Sequence, residues 1–385
     1  MEITMNDRFP TTPPTGGDTP APGVGASGLA IADTPGALTP EWLTAVLRDH
    51  GGIGDSSVVE IDVRPLGTGQ MCDSFRVGLT YDAGTGGPRS LIAKLPAADE
   101  TSRATAKAMR NYEREVRFYQ VIKPTLAARI PMAYYADIDP ETASFALLLE
   151  DLSPATQGDQ LNGCTPETAE AAITQLVPLH AARWNDPTLL QLDWLVGDPE
   201  EGRARMREIL PLFWAGFQDR YRDHIPPHVR EAGNTLLNHV DAYLAPRAGP
   251  TTIIHNDYRL DNLLFTPGPN SDVAGIVDWQ TCSVGPGPRD VAYFIGAGLL
   301  PDDRGENEDR LVRSYHDGLV HAGVADYSWD RCWHDYRVGT WAGLVMAMAA
   351  SMLVERTVRG DEMFLCMADR HARHALDLQA VDALT

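Results

Sequence analysis

A chain of 385 residues is long enough to bury a sizeable core and to divide into two lobes. Its hydrophobic fraction of 43% and charged fraction of 22% are those of an ordinary globular protein, and no run of about 18 apolar residues predicts a membrane span. A formal net charge of −21, from 53 acidic and 32 basic residues, repels a phosphodiester backbone and argues against a nucleic-acid partner; it is compatible with a cationic substrate, although a solvated acidic surface is the simpler account.

Residues 1–37 are rich in Pro, Gly, Thr and Ala and contain no apolar stretch of signal-peptide type, so they are predicted to form a flexible tail. The folded part is expected to start at Thr39, an N-cap ahead of Pro40 and of a helix through Leu47. Val58 to Leu66 and Phe75 to Tyr81 alternate as half-buried strands, separated by the glycine turn Leu66-Gly67-Thr68-Gly69-Gln70. A third strand, Leu91 to Leu95, places Lys94 inside an apolar run, where a cation needs a partner. Thr101 to Ile122 reads as one helix, and both Glu113 and Glu115 are available to meet Lys94. Strands at Met132 to Ile138 and Phe145 to Leu149 complete this lobe, residues 38–150.

From residue 151 to 385 the pattern turns helical. Helices are predicted at Pro166 to Trp184, about Glu201 to Tyr221, Val229 to Leu244, Asp290 to Leu299, Glu308 to Ala322, Trp329 to Val354 and Glu362 to Leu378, with a short strand pair at Leu263 to Phe265 and Gly275 to Val277. Strands first and helices second imply an α+β architecture with no internal repeat. The five cysteines, Cys72, Cys164, Cys282, Cys332 and Cys366, are scattered without a C-x-x-C pair, which fits a reducing cytoplasm and not a zinc site.

The chemistry concentrates in Thr251 to Phe265, TTIIHNDYRLDNLLF, a polar loop between two apolar flanks. Phosphoryl transfer needs an attacking hydroxyl oriented at the γ-phosphate and oxygen ligands for magnesium, and its catalysis is mostly positioning and charge neutralisation. A carboxylate, Asp257, and an amide, Asn262, can divide those tasks. Asp278 ends an apolar strand sixteen residues after Asn262, and its hard oxygens suit magnesium. Arg259 lies in the same loop, either to stabilise phosphate charge or to form a structural salt bridge. His180 reads as a packed helix histidine, Asp159 as unassigned, and Trp184, Trp194, Phe213, Trp214, Phe217 and Tyr221 as helix packing with an acceptor-pocket lining as the alternative.

In this order of motifs the chain resembles the aminoglycoside phosphotransferase and choline kinase-like enzymes, including the ecdysteroid kinase-like group. The resemblance covers roughly Pro40 to His374. It rests on LIAKL around Lys94, REVRFY around Glu115, LLLEDL, GDQ, LHAARW, HNDYRLDN, VDWQ and GPGPRDVAYF. It implies a two-lobed protein kinase-like fold, with an antiparallel sheet lobe carrying one helix and a larger helical lobe. It further implies ATP and Mg2+ as cofactors and a small hydroxylated acceptor: a natural product, sterol-like compound, aminoglycoside or amino alcohol. Asp257 would orient the hydroxyl, Asn262 and Asp278 would hold magnesium, and Lys94, braced by Glu115, would meet the α- and β-phosphates. Gly67 and Gly69 would cover the phosphates, and the stretch holding Glu150 and Leu152 would offer its backbone to adenine. His255 and Asp290 would brace the loop. The glycine turn lacks a full G-x-G-x-x-G, and Asp278 is followed by Trp-Gln in place of Phe-Gly, which favours a small-molecule kinase over a protein kinase. The rival reading is a catalytically silent nucleotide-binding scaffold.

Overall fold

The structure, a computed structural model, describes residues 28–50, 52–67, 71–84, 86–268 and 272–385. The chain divides into two compact units. One runs up to Val116 and resumes at Ala133–Glu150; the other joins Arg117–Met132 to Asp151–Thr385.

In the first unit, α1 (Pro40–His50) starts where Trp42 N–H donates to Thr39 Oγ1 at 3.2 Å. It packs on a five-stranded sheet of β1 (Val58–Pro65), β2 (Cys72–Tyr81), β3 (Ser90–Pro96), β4 (Ala133–Asp139) and β5 (Ser144–Glu150), in the order β1-β2-β3-β5-β4. Every pairing is antiparallel. Leu43, Val46 and Leu47 of the helix share a buried cluster with Val77, Leu91, Ala93, Ala146 and Leu148 of the sheet. Ala32 and Leu38 join that cluster, and Trp42 Nε1 donates to the Ala30 carbonyl at 2.9 Å. The tail expected over residues 1–37 is thus corrected at its end, where Ala32 is buried in the core and Leu29, Ile31 and Ala37 pack against it; residues 1–27 lie outside the described residues.

The single helix expected over Thr101 to Ile122 is divided. After α2 (Glu100–Ala108), Arg110 takes a left-handed φ of 56°, and α3 (Asn111–Arg117) restarts beyond it. Neither Gly nor Pro marks that break. The next residues, Phe118–Ile122, form a wider turn and belong to the second unit.

The second unit contains β6 (Thr156–Gln157), then α4 (Pro166–Ala181), α5 (Asp193–Val196), α6 (Pro199–Arg220), α7 (Pro227–Asn238) and α8 (Val240–Leu244). There follow β7 (Thr252–Ile254), β8 (Leu263–Phe265), β9 (Val273–Ile276) and β10 (Ser283–Gly285). The chain closes with α9 (Pro288–Gly298), α10 (Pro301–His321), α11 (Trp329–Gly339), α12 (Trp341–Leu353) and α13 (Val358–Asp377). Strand β7 pairs with β10, and β8 lies between β6 and β9. The helix expected from Trp329 to Val354 is two, meeting at Thr340. Phe213, Trp214, Phe217 and Tyr221 are buried in one cluster with Trp341, Met348 and Phe364, so these four aromatics pack the core. Among the described residues no helix is long and apolar enough to cross a membrane.

Candidate active site

The polar loop is suspended between two short buried strands, β7 before it and β8 after it, each hydrogen-bonded to a neighbour. Its first residues are pinned from α9. The Asp290 carboxylate accepts the backbone N–H of His255 at 2.6 Å and of Asn256 at 2.9 Å. His180 Nε2 approaches Asp290 Oδ2 at 3.4 Å, and His180 Nδ1 lies 2.7 Å from the Tyr315 hydroxyl. Burial works to raise the Asp290 carboxyl, but the His180 hydrogen bond, the neighbouring imidazoles and the His255 N–H outweigh it and hold the group below the usual carboxylate range. His180 is therefore buried, as its sequence setting implied, and part of the brace.

His255 spans the loop. Its Nδ1 faces the Asp257 N–H at 3.3 Å and its Nε2 lies 3.0 Å from the Val277 carbonyl, which sets the ring in the tautomer protonated at Nε2. Asn256, at a left-handed φ of 65°, donates from Nδ2 to Thr281 O at 3.1 Å and Ser283 Oγ at 2.6 Å. A strained non-glycine residue held by specific side-chain bonds is characteristic of functional loops.

Asp257 is oriented by three donors. Arg259 Nε at 3.1 Å and Asn262 Nδ2 at 2.9 Å both reach Oδ2, and the Tyr293 hydroxyl reaches Oδ1 at 2.6 Å. Arg259 also meets Asp261 Oδ2 at 2.5 Å. Burial opposes its charge, yet the Asp257 and Asp261 carboxylates hold the guanidinium above its ordinary range. The ion pairs to both neighbours match the salt-bridge alternative raised from the sequence.

Asn262 Nδ2 donates to the Asp257 carbonyl and carboxylate, both at 2.9 Å, which fixes the amide and turns Oδ1 away from those two bonds. Leu263 pairs with Ile276 and Val277 N–H donates to the Asn262 carbonyl at 3.0 Å, so the backbone ladder sets Asn262 across from the residue that precedes Asp278. Asp278 has a left-handed φ of 69°. Trp279 behind it is fully buried, stacked on Phe118 at 3.8 Å and 4.6 Å from His255. Among the described residues no group of three His, Cys, Asp or Glu side chains is placed to hold a metal. An amide oxygen and one carboxylate fit magnesium, which takes few protein ligands and completes its shell with phosphate and water oxygens.

Lys94, Glu115, Gly67 and Glu150 lie in the first unit. Lys94 is paired in register with Ser74 and Leu147, and its Nζ donates to Glu115 Oε1 at 2.6 Å. Glu113 Oε2 accepts from Arg110 Nε at 2.8 Å. Gly67 has φ of 72° in open space, a conformation that suits glycine. Gly69 and Gln70 lie outside the described residues. Glu150 ends β5 opposite Leu91, whereas Leu152 belongs to the second unit. Thus Lys94, Glu115, Gly67 and Glu150 form one set and Asp257, Arg259, Asn262 and Asp278 another.

Three residues that brace the loop, two from outside it and one within it, carry no legible role in the sequence. Tyr293 sits in an apolar helix run where an aromatic reads as core. Gln160, in the GDQ motif, accepts the Leu260 N–H and donates its own N–H to Asp261 Oδ1, both at 3.0 Å, and reaches the Ala297 carbonyl at 2.8 Å. Asp261 is the third. Asp159, left unassigned from the sequence, caps a turn by accepting the Leu161 N–H at 2.9 Å.

One curated relative, mouse acyl-CoA dehydrogenase family member 10, is 43% identical over 56 residues, which are 14% of this chain and 5% of that protein. The chain thus spans only a small part of that relative's length. Among solved structures, a protein of Ralstonia eutropha JMP134 provisionally assigned as an aminoglycoside phosphotransferase has a TM-score of 0.50 at 18% identity, covering 89% of this chain and 98% of that one. A microcompartment-associated aminopropanol kinase has a TM-score of 0.50 at 13% identity, with 88% and 97% covered. An ethanolamine kinase of Plasmodium vivax has a TM-score of 0.50 at 10% identity, with 88% and 89% covered. These similarities identify the protein kinase-like fold. The family profile for the phosphotransferase enzyme family (APH) matches residues 76–332, from the second strand of the sheet past the catalytic-type loop and its bracing helix, and the chain belongs to that family.

Proposed function

We propose that the protein transfers the γ-phosphoryl group of ATP, with magnesium, to a hydroxyl of a small molecule. The observation that carries this reading is the Asp257 carboxylate, aimed by Tyr293, Arg259 and Asn262 on a loop that also offers the Asn262 amide oxygen. In the proposed reaction Asp257 accepts the acceptor's hydroxyl proton as that oxygen bonds to the γ-phosphorus. The bond to the β–γ bridging oxygen breaks and ADP leaves with its electron pair. Asn262 and Asp278 would hold magnesium, which supplies charge neutralisation on the phosphates when bound. Lys94, held by Glu115, would meet the α- and β-phosphates. Gly67 and Gly69 would lie over the phosphates, and the backbone near Glu150 and Leu152 would meet adenine.

The acceptor is a hydroxylated natural product, sterol-like compound, aminoglycoside or amino alcohol, and five scattered cysteines without a C-x-x-C pair suit a cytoplasmic setting. A catalytically silent scaffold is the weaker reading, since its usual mark is a lost base or metal ligand and Lys94, Asp257, Asn262 and Asp278 are all present. A magnesium-dependent ATP turnover assay over a panel of alcohols tests the proposal. Turnover that is absent with every alcohol, or equal in Asp257→Ala, would overturn it.

A further inference from the structure

We infer that Tyr293 is a positioning residue for phosphoryl transfer, holding Asp257 so that Oδ1 and not Oδ2 takes the acceptor's proton. The inference rests on the phosphotransfer reading above and adds to it the oxygen that reacts. A carboxylate oxygen has two in-plane acceptor positions. On Asp257, Oδ2 already receives Arg259 Nε at 3.1 Å and Asn262 Nδ2 at 2.9 Å, which fill it. Oδ1 receives the Tyr293 hydroxyl at 2.6 Å, which leaves it one position for an incoming O–H.

The length of the Tyr293 bond is that of a charge-assisted hydrogen bond, roughly twice as strong as a neutral one. Burial first, and then the Asp257 charge, push the Tyr293 phenol well above its ordinary range, so the hydroxyl stays a donor. Tyr293 follows Asp290 by three residues on α9, on the same helix face. One face therefore fixes both the start of the loop, through the His255 and Asn256 N–H groups, and the side chain of Asp257. The ring itself has little freedom. It is 1% exposed, and its centroid lies 5.4 Å from that of His371, whose ring is so close to α12 that a Cβ on Gly343 would stand 2.0 Å from Nε2.

A purely structural tyrosine would affect stability and leave the catalytic constants of the folded protein alone. The test uses the full chain with Mg·ATP and water as the phosphoryl acceptor, followed as ATP hydrolysis. Tyr293→Phe is expected to lower kcat about tenfold with KM for ATP within about twofold, because misorientation of the base affects the transition state more than nucleotide binding. In parallel, 3-fluorotyrosine is placed at Tyr293, which keeps the ring and hydroxyl even if Tyr293→Phe fails to fold. Its fluorine resonance should move when Asp257→Asn is added, and its altered donor strength should change kcat without changing KM. An unmoved resonance, or a kcat equal to wild type in both the phenylalanine and fluorinated proteins, overturns the positioning role. If the resonance moves but the wild type turns over no more ATP than Asp257→Asn with water or with any alcohol of the panel, the role falls because the phosphotransfer reading has failed, an outcome the resonance distinguishes from failure of the contact.

Discussion

Lys94 and Asp257 are both charged side chains held by short hydrogen bonds, but the two units hold them differently. Lys94 is placed by strand register, and its charge is met by Glu115 on a separate helix at 2.6 Å. Asp257 is placed by donors from its own loop and from α9, and the loop backbone is held again by Asp290. A side chain that relies on a close buried ion pair is sensitive to the loss of one partner. One that sits in a network loses orientation gradually but can be silenced by its own removal.

The sharpest break in that contrast is Asp257→Ala. It should reduce turnover by about a thousandfold or more, with ATP affinity changed only a few-fold, since it removes hydroxyl orientation and leaves phosphate contacts alone. Steady-state kinetics beside ATP binding by calorimetry measure both, and retained turnover would remove Asp257 from the role of base. On the other side of the comparison, Glu115→Ala should destabilise the protein by about 3–5 kcal/mol, because the Lys94 charge stays buried without that carboxylate. Chemical denaturation checks this. The double replacement Lys94→Met with Glu115→Leu should recover much of the loss, and no recovery would mean that packing and not charge accounts for the effect.

Asp290→Asn probes the network by pH. The folded carboxyl is held below its unfolded range, so its ionisation favours the folded state above about pH 4, and that contribution fades as pH falls through the lowered value. The variant should lose about 1–3 kcal/mol near neutral pH. The gap from wild type should narrow in acid, and a gap that stays constant down to the acid limb would count against the brace. The smallest effect is expected at Gly67. Its φ of 72° lies in open space, so Gly67→Ala should cost about 1 kcal/mol through backbone strain alone. A thermal melt indistinguishable from wild type would show that the turn tolerates a side chain.

The sheet was legible in the sequence because period-two alternation marks the half-buried β1 and β2 and short apolar runs mark the more buried strands, and all five strands of the first unit lie where Val58 to Leu66, Phe75 to Tyr81 and their successors predicted them. The loop was legible because its polar residues interrupt apolar flanks. What stayed hidden depends on direction. No residue type announces the left-handed turn at Arg110, and apolar periodicity continues smoothly past Thr340 although the helix does not. Ala32 was hidden by the composition of the segment around it. Tyr293 was hidden for the same reason in reverse: its ring satisfies the core pattern, while the hydroxyl that meets Asp257 leaves no trace in periodicity.

The stacking of Phe118 on Trp279 has a consequence for how such a protein could be recombined. The first unit is interrupted by Arg117–Met132, and the interrupting segment keeps its aromatic partner more than a hundred positions further along. A gene crossover just after Glu150 would import a foreign Phe118 beneath a native Trp279. Exchange of the sheet between relatives keeps this aromatic pair matched when the breakpoints spare residues 117–132, or when that stretch is traded together with its tryptophan.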